Sequence, residues 1–186
     1  MREIDILAIT EEMCSTNLFV TREFGQILTP RFEEILKNST EKVFVFNFSD
    51  VLYVDFSCPN EVFGSLIPKL KNDADMFIFL KGLNESKREN IDIALSEDKL
   101  TMLEIEQDEI QIRGHLPEYL SEILERIIHN EEKLTARQIA DETGTKISTA
   151  SSKLLTLWKQ GLLDREEEVT EEGKKYIYTS VLPLIK

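Results

Sequence analysis

Apolar and polar positions along the first 114 residues predict strands alternating with helices. Residues 43–48 (VFVFNF) are too dense in Val and Phe for a half-exposed strand, so they predict a strand covered on both faces of a mostly parallel sheet. Because helices between parallel strands supply the crossover connections, the pattern indicates an α/β fold. Further strands are predicted at residues 4–9, 17–20, 76–80 and 100–105.

Helical periodicity follows several of these strands. Thr21 is placed to cap a helix, in which Pro30 either makes a kink or occupies the first position of a new helix. Pro59 suits a first helical position, and apolar residues at helical spacing continue to residue 70. Residues 87–95 predict another helix.

The pattern changes after Pro117 to shorter helices without long Val and Phe runs. Thr135 and Gln138 form a predicted capping box at the start of one helix, and residues 147–158 predict the next. A hairpin with its tip at residues 171–174 follows, although a helix beginning at Thr170 is an alternative. We therefore predict two domains, residues 1–114 and residues 115–186.

The centre of the first domain contains FNFSDV at positions 46–51 and VDFS at positions 54–57. These segments resemble the core of STAS-like domains, the fold of anti-sigma-factor antagonists. The resemblance implies a mixed, mostly parallel sheet with helices, a protein partner, and Ser57 as a phosphorylation or partner-docking site. A phosphate there would lie at a helix N-terminus, where unpaired N–H groups attract anions. The alternative role of Ser57 is a simple N-terminal cap.

The second domain has a pattern that runs from the TARQIA segment through the small turn residue Gly144 to STASSKLLTLW and the following GLL. This pattern resembles a winged helix-turn-helix. The resemblance implies that residues 147–158 form a recognition helix that enters the major groove of DNA.

Charge and composition limit the functions to be considered. The net charge is −13, with 12 Lys and Arg against 22 Asp and Glu in residues 1–114, and 10 against 13 in residues 115–186. The C-terminal part is therefore the less acidic one. The absence of a long apolar run and of a signal-peptide pattern predicts a cytoplasmic protein without a membrane partner. Cys14 and Cys58 are too few for a disulfide framework or a zinc site, and no metal or cofactor is predicted.

No motif for catalysis is present. The chain lacks phosphate-binding glycine loops, the HExxH metal motif and the GxSxG elbow. His115 and His129 have no evident Cys or Ser partner, so we predict that the protein is not an enzyme.

Candidate DNA contacts concentrate in the second domain. Hydroxyl groups can donate to phosphates or bases, and Lys and Arg neutralise phosphates. The predicted contacts are Arg137, Lys146, Ser148, Thr149, Ser151, Ser152, Lys153, Lys174 and Lys175. Arg165 is a weaker candidate because Glu166, Glu167 and Glu168 follow it. These glutamates make the wing acidic, which opposes DNA binding.

Two functions follow from these patterns. The first is a transcriptional regulator that binds DNA as a homodimer and receives a signal through a protein partner of the STAS-like domain. The alternative is a partner-switching adaptor in which both domains bind proteins and no DNA is involved. A small-ligand pocket in the first domain is a third possibility, for which no residue pattern identifies a ligand.

Overall fold

The structure is a computed structural model that describes residues 1–70, 76–107, 109–130, 132–170 and 173–184. The chain forms two compact units, Met1–Leu116 and Pro117–Lys186. The elements of the first unit are β1 (Arg2–Asp5), α1 (Ile6–Cys14), β2 (Leu18–Phe19), α2 (Arg22–Lys37), β3 (Val43–Asn47), β4 (Tyr53–Val54), α3 (Ser57–Leu70), β5 (Phe77–Lys81), α4 (Glu85–Glu97), β6 (Thr101–Glu106) and β7 (Glu109–Gly114).

A five-stranded sheet in the order β1-β3-β5-β6-β7 is the centre of the first unit. The first four strands run parallel, and β7 runs antiparallel to β6 at the edge. Strand β3 lies between two parallel neighbours, and Val43, Phe44, Val45 and Phe46 are all buried. The prediction of a mixed α/β fold with a mostly parallel sheet is therefore confirmed.

One hydrophobic core joins the sheet to the helices. Phe46 of β3 lies between Phe32 of α2 and Phe63 of α3, with ring centroids 5.1 and 6.3 Å away. Phe19 and Phe48 meet edge to face at 5.3 Å, a geometry that aromatic quadrupoles favour. The aromatic residues that made residues 43–48 conspicuous therefore anchor two helices.

The predicted first strand at residues 4–9 is confirmed at residues 4 and 5 and is wrong for residues 6–9. Strand β1 ends at Asp5, whose carboxylate accepts a hydrogen bond from the Ala8 N–H at 3.1 Å and caps α1. Ile6, Ile9 and Thr10 then form a buried stripe at helical spacing. The apolar run from Ile6 forms a helix because its side chains are buried on one face only.

The structure of α2 decides whether Pro30 lies within one helix or begins a new one. Thr21 caps the helix by accepting from the Phe24 N–H, and Pro30 lies inside a continuous helix rather than at the start of a new one. Helix α3 begins at Ser57, two residues before Pro59.

The end of the first unit contains a strand that the sequence pattern did not predict. Residues 109–114 form β7, which pairs with β6 over its whole length. Between α4, β6 and β7, the buried carboxylate of Glu104 accepts hydrogen bonds from Arg88 at 3.0 and 3.1 Å and from Arg113 at 2.6 Å. The strand is thus held by an ionic network as well as by backbone pairing.

The second unit consists of three helices and a hairpin. Its elements are α5 (Glu118–Asn130), α6 (Ala136–Thr143), α7 (Ile147–Lys159), β8 (Asp164–Thr170), β9 (Gly173–Thr179) and a 3₁₀ turn at Leu182–Leu184. The hairpin is the one predicted, and a helix from Thr170 is excluded; Glu171 and Glu172 of its predicted tip lie outside the described residues. None of the helices in the described part of the chain has the length and apolarity that crossing a bilayer requires.

Lys87 ties α4 to the loop after β3. Its side chain is 5 % exposed, and its ammonium donates to the backbone oxygens of Phe48 at 2.7 Å and Ser49 at 3.4 Å. Burial lowers the pKa of Lys87, while the charge of Asp50 opposes that shift. The buried ammonium of Lys87 therefore anchors the loop that follows β3 and precedes Ser57 in the chain.

Replacing Lys87 with methionine should lower the free energy of unfolding by roughly 1.5–3 kcal/mol, because the Phe48 carbonyl loses its charged donor and keeps only the Val51 N–H at 3.2 Å. The difference in free energy of unfolding between wild type and variant should increase as the pH rises from the lowered native pKa of Lys87 towards the ordinary lysine value of about 10.4. In that range the unfolded wild type binds more protons than the folded wild type. Urea unfolding of both proteins between neutral and alkaline pH measures the difference. A difference that shrinks as the pH rises would contradict the assignment.

Candidate nucleic-acid interface

Helices α6 and α7 are joined by a short turn whose ends are set locally. The Thr135 hydroxyl oxygen accepts from the Gln138 N–H at 3.3 Å, and the Gln138 side-chain oxygen accepts from the Thr135 N–H at 2.8 Å. This is the predicted capping box. Gly144 ends α6 in the left-handed region at φ 66°, where glycine has no steric penalty. Helix α7 starts three residues later, after Lys146, whose side chain makes no cap hydrogen bond.

The inner face of α7 is part of the core of the second unit. Ala150, Leu154 and Leu157 are each 0 % exposed, as their helical spacing predicts. Trp158, which follows Leu157, is only half-buried. These contacts fix α7, and its exposed serines and threonines lie on the other side of the helix.

The outer face of α7 presents hydroxyl groups to solvent. Of the predicted contact residues, Ser148, Thr149, Ser151 and Ser152 are exposed. The Ser152 hydroxyl donates to the backbone oxygen of Ser148 at 2.9 Å, so its proton is engaged while its oxygen remains able to accept. The other three hydroxyls bond to no described residue. A duplex would thus meet a surface of small, adaptable polar groups.

The cations around this face are unneutralised. Arg137 and Lys146 are exposed and form no ion pair with any residue that the structure describes. The Lys153 ammonium lies 5.3 Å from the centroid of the Tyr119 ring, a cation–π distance that keeps its charge. Since residues 147–159 contain no Asp or Glu, α7 itself contributes no carboxylate to this surface.

The wing, which is the β8–β9 hairpin, differs from the outer face of α7 because its lysines are paired with glutamates. Register places Glu168 opposite Lys175, and the nearest charged atoms are 3.5 Å apart; Glu167 and Lys174 pair at 2.8 Å. Hydrogen bonds from Lys174 and then Tyr176 lower the pKa of Glu167, so its carboxylate stays charged beside the lysine. Both predicted wing cations therefore already have a carboxylate partner.

Arg165 is also engaged within the second unit. Its guanidinium carbon lies 3.5 Å from the centroid of the Trp158 ring and 4.4 Å from that of Tyr176. Cation–π contact on two rings explains the half-burial of Trp158 and stabilises the junction of α7 with the hairpin.

Two residues of this surface were not singled out by sequence reasoning. Tyr119 is 53 % exposed and positions Lys153 by the ring contact described above. Ile147, the first residue of α7, is 46 % exposed although its spacing places it on the buried stripe. Only the exposed fractions of the folded chain identify either residue.

Ser57 lies elsewhere, at the start of α3 in the first unit. The Cys58 N–H donates to Asp55 at 3.0 Å, so Asp55 rather than Ser57 supplies the capping oxygen. The half-buried Ser57 follows three exposed apolar side chains, Leu52, Tyr53 and Phe56, at 67, 46 and 43 %. The interpretation of Ser57 as a simple cap is wrong.

The remaining candidates show no assembled reaction site. Burial raises the pKa of the Cys58 and Cys14 thiols, which disfavours the thiolate form. His115 is exposed, and the side chain of His129 lies outside the described residues. Among the described residues, no three His, Cys, Asp or Glu side chains are grouped to hold a metal ion.

A groove of about 370 Å³ lies beside α2, α3 and α4 in the first unit. Three of its polar groups bind one another: Arg22 donates to Asn60 at 3.0 Å, and Asn60 donates to Asp98 at 2.9 Å. Because these three groups are already paired, none of them is a free anchor for a small ligand.

Comparison with known families gives a match within the second unit. Residues 120–167 match the IclR helix-turn-helix domain. The matched residues run from the third residue of α5 through α6 and α7 to the fourth residue of β8. The match supports a DNA-binding transcriptional regulator. The comparison with curated proteins gives no match, and neither does the comparison with solved structures.

Proposed function

We propose that this protein is a non-enzymatic transcriptional regulator that binds duplex DNA through the outer face of α7. The observation that carries the proposal is an exposed, hydroxyl-rich helix surface without carboxylates, located in an IclR-type helix-turn-helix. Hydroxyl groups and lysines are suited to phosphate contacts, and the second helix of such a motif enters the major groove.

Phosphate contacts are assigned to three cations for each protomer: Arg137, Lys146 and Lys153. Their affinity alone is modest and strongly dependent on salt. We therefore propose a homodimer, which doubles the contacts and reads a two-fold symmetric site. Lys174 and Lys175 are assigned a smaller contribution, because each must leave a glutamate before it can bind a phosphate.

The first unit is proposed to be STAS-like and to receive a signal from a protein partner near Ser57. The parallel sheet, the start of α3 at Ser57 and the motif residues support this assignment. Leu52, Tyr53 and Phe56 are exposed apolar side chains close in sequence to Ser57, as expected of a protein-docking surface. Regulation then requires that the partner bind two arrangements of the dimeric winged helices with different affinity.

A partner-switching adaptor is the second candidate, favoured by the same exposed apolar side chains and by the net charge of −13. A DNA-agarose column at low salt separates the two candidates. The regulator is retained and elutes as salt is raised, whereas the adaptor passes through.

The salt dependence of binding should report the number of phosphate contacts. We expect log K against log salt to have a slope of about −5 for a dimer with six contacts, and about −3 for a monomer with three. Fluorescence anisotropy with a labelled duplex at several salt concentrations gives the slope, and light scattering gives the oligomeric state. Loss of Lys153 to alanine should flatten the slope, whereas Lys159→Ala, with the same charge change at the far end of α7, should not.

A further inference from the structure

The exposure of Ile147 stands apart from the rest of its helical stripe. Ala150, Leu154 and Leu157 lie three, seven and ten residues later, and each is 0 % exposed, whereas Ile147 is 46 % exposed. The packing that covers this stripe therefore ends at Ala150. The first turn of α7 extends beyond it and presents a β-branched apolar side chain to solvent, next to exposed Ser148.

The residue types on α7 restrict how the helix can read bases. Guanine is read in two-point contacts by Arg or Lys, and adenine by Asn or Gln. The segment ISTASSKLLTLWK contains no Arg, Asn or Gln, and its Lys153 lies against Tyr119. Serine and threonine hydroxyls bond to any base and discriminate weakly. Two-point purine readout by Asn, Gln or Arg is thus excluded from this helix.

Thymine is the base that the remaining residue types of α7 can recognise, through apolar contact. Its C5-methyl group projects into the major groove, and apolar side chains recognise it by contact. Ile147 is the large apolar side chain exposed on the described parts of α6, the turn and α7. Position one of a recognition helix is also where base edges are met, because these helices approach the groove with their N-terminal residues.

We infer that Ile147 is a specificity-determining residue that packs against the C5-methyl group of a thymine in each half-site. This inference rests on the proposed function, since it requires α7 to lie in the major groove. It adds the class of base that is selected and the side chain that selects it. The serines beside Ile147 then contribute hydrogen bonds without strong base preference.

The test begins with selection from a random-sequence duplex pool by the full chain and by Ile147→Ala. Each thymine of the enriched half-site is then replaced by deoxyuridine, which removes only the C5-methyl group. At the contacted position, the wild type should lose about fourfold in affinity, the value of roughly one buried methyl group. Ile147→Ala changes both protomers, so on the thymine duplex it should lose about that factor in each half-site, roughly fifteenfold in all, and deoxyuridine should cost it nothing more.

Val169→Ala is the matched control, because Val169 is an exposed apolar residue of the wing and its loss should leave the deoxyuridine effect intact. The inference is overturned if Ile147→Ala selects the same thymines with the same enrichment, or if deoxyuridine weakens both proteins equally. Absence of any duplex binding at about 0.05 M salt, where non-specific contacts are strong, instead rejects the proposed function itself.

Discussion

Replacing both Lys146 and Lys153 with glutamate should weaken duplex binding by at least about a hundredfold at 0.1 M salt. Each phosphate contact contributes about eightfold in affinity at 0.1 M relative to 1 M salt, and a charge reversal adds repulsion to that loss. Lys146 is exposed without an ion pair to the described residues, and Lys153 keeps its charge against Tyr119. Fluorescence anisotropy on one duplex at fixed salt measures the loss.

The matched control reverses Arg2 of the first unit and Lys159 at the far end of α7, which changes the net charge by the same amount. It should bind within a few-fold of the wild type. Fluorescence of Trp158, the single tryptophan of the chain, follows unfolding of the second unit and should be nearly unchanged in both variants. Equal losses in the two double variants would mean that net charge, and not the surface of α7, governs DNA binding.

Glu104→Gln should cost roughly 3–5 kcal/mol of the free energy of unfolding of the first unit, the range for breaking a buried ion pair. The Glu104 side chain is 1 % exposed and receives hydrogen bonds from two guanidinium groups. With a neutral amide, the only carboxylate partner among the described residues is Glu106 for Arg88 and Asp92, at 3.4 Å, for Arg113, and the buried carboxylate between the two guanidinium groups is gone. The strand pairing of β6 with β7 should weaken with it.

Glu106→Gln provides the comparison, because Glu106 pairs with the same Arg88 from the same strand at 2.5 Å but is 35 % exposed. Its loss should cost under about 1 kcal/mol, as for exposed pairs. Urea unfolding followed by circular dichroism reports both units, and Trp158 fluorescence separates out the second. Similar costs for the two substitutions would show that burial does not strengthen the Glu104 network. If only the unfolding transition seen by Trp158 fluorescence shifted, the loss of stability would lie in the second unit, which would contradict the prediction.

Local sequence signals sufficed where neighbouring residues alone specify the structure. The Val–Phe run of β3, the Thr135–Gln138 capping box and the left-handed Gly144 were predictable because their patterns act over a few residues. The same is true of the helical stripe of α7. The predicted contact residues follow from that stripe, since the positions between its buried members must face outward.

Other features required the folded chain. The run at residues 4–9 satisfies both a strand and a helix pattern, and the Asp5 cap with one-sided burial decides for α1. Strand β7 contains the charged residues Glu109 and Arg113, and its pairing with β6 brings Arg113 within 2.6 Å of Glu104. In the wing, the hairpin register brings Lys175 to Glu168, which composition alone does not show.

The sequence by itself determined the α/β class of the first unit, the helix-turn-helix of the second, and the hydroxyl-rich face of its third helix, because short-range periodicity and capping encode them. Only the tertiary structure decided which of the cations have no carboxylate partner among the described residues. It also decided that Ile147 is exposed although its spacing places it on the buried stripe. Both depend on contacts between segments far apart in the chain, and periodicity contains no information about where such packing stops.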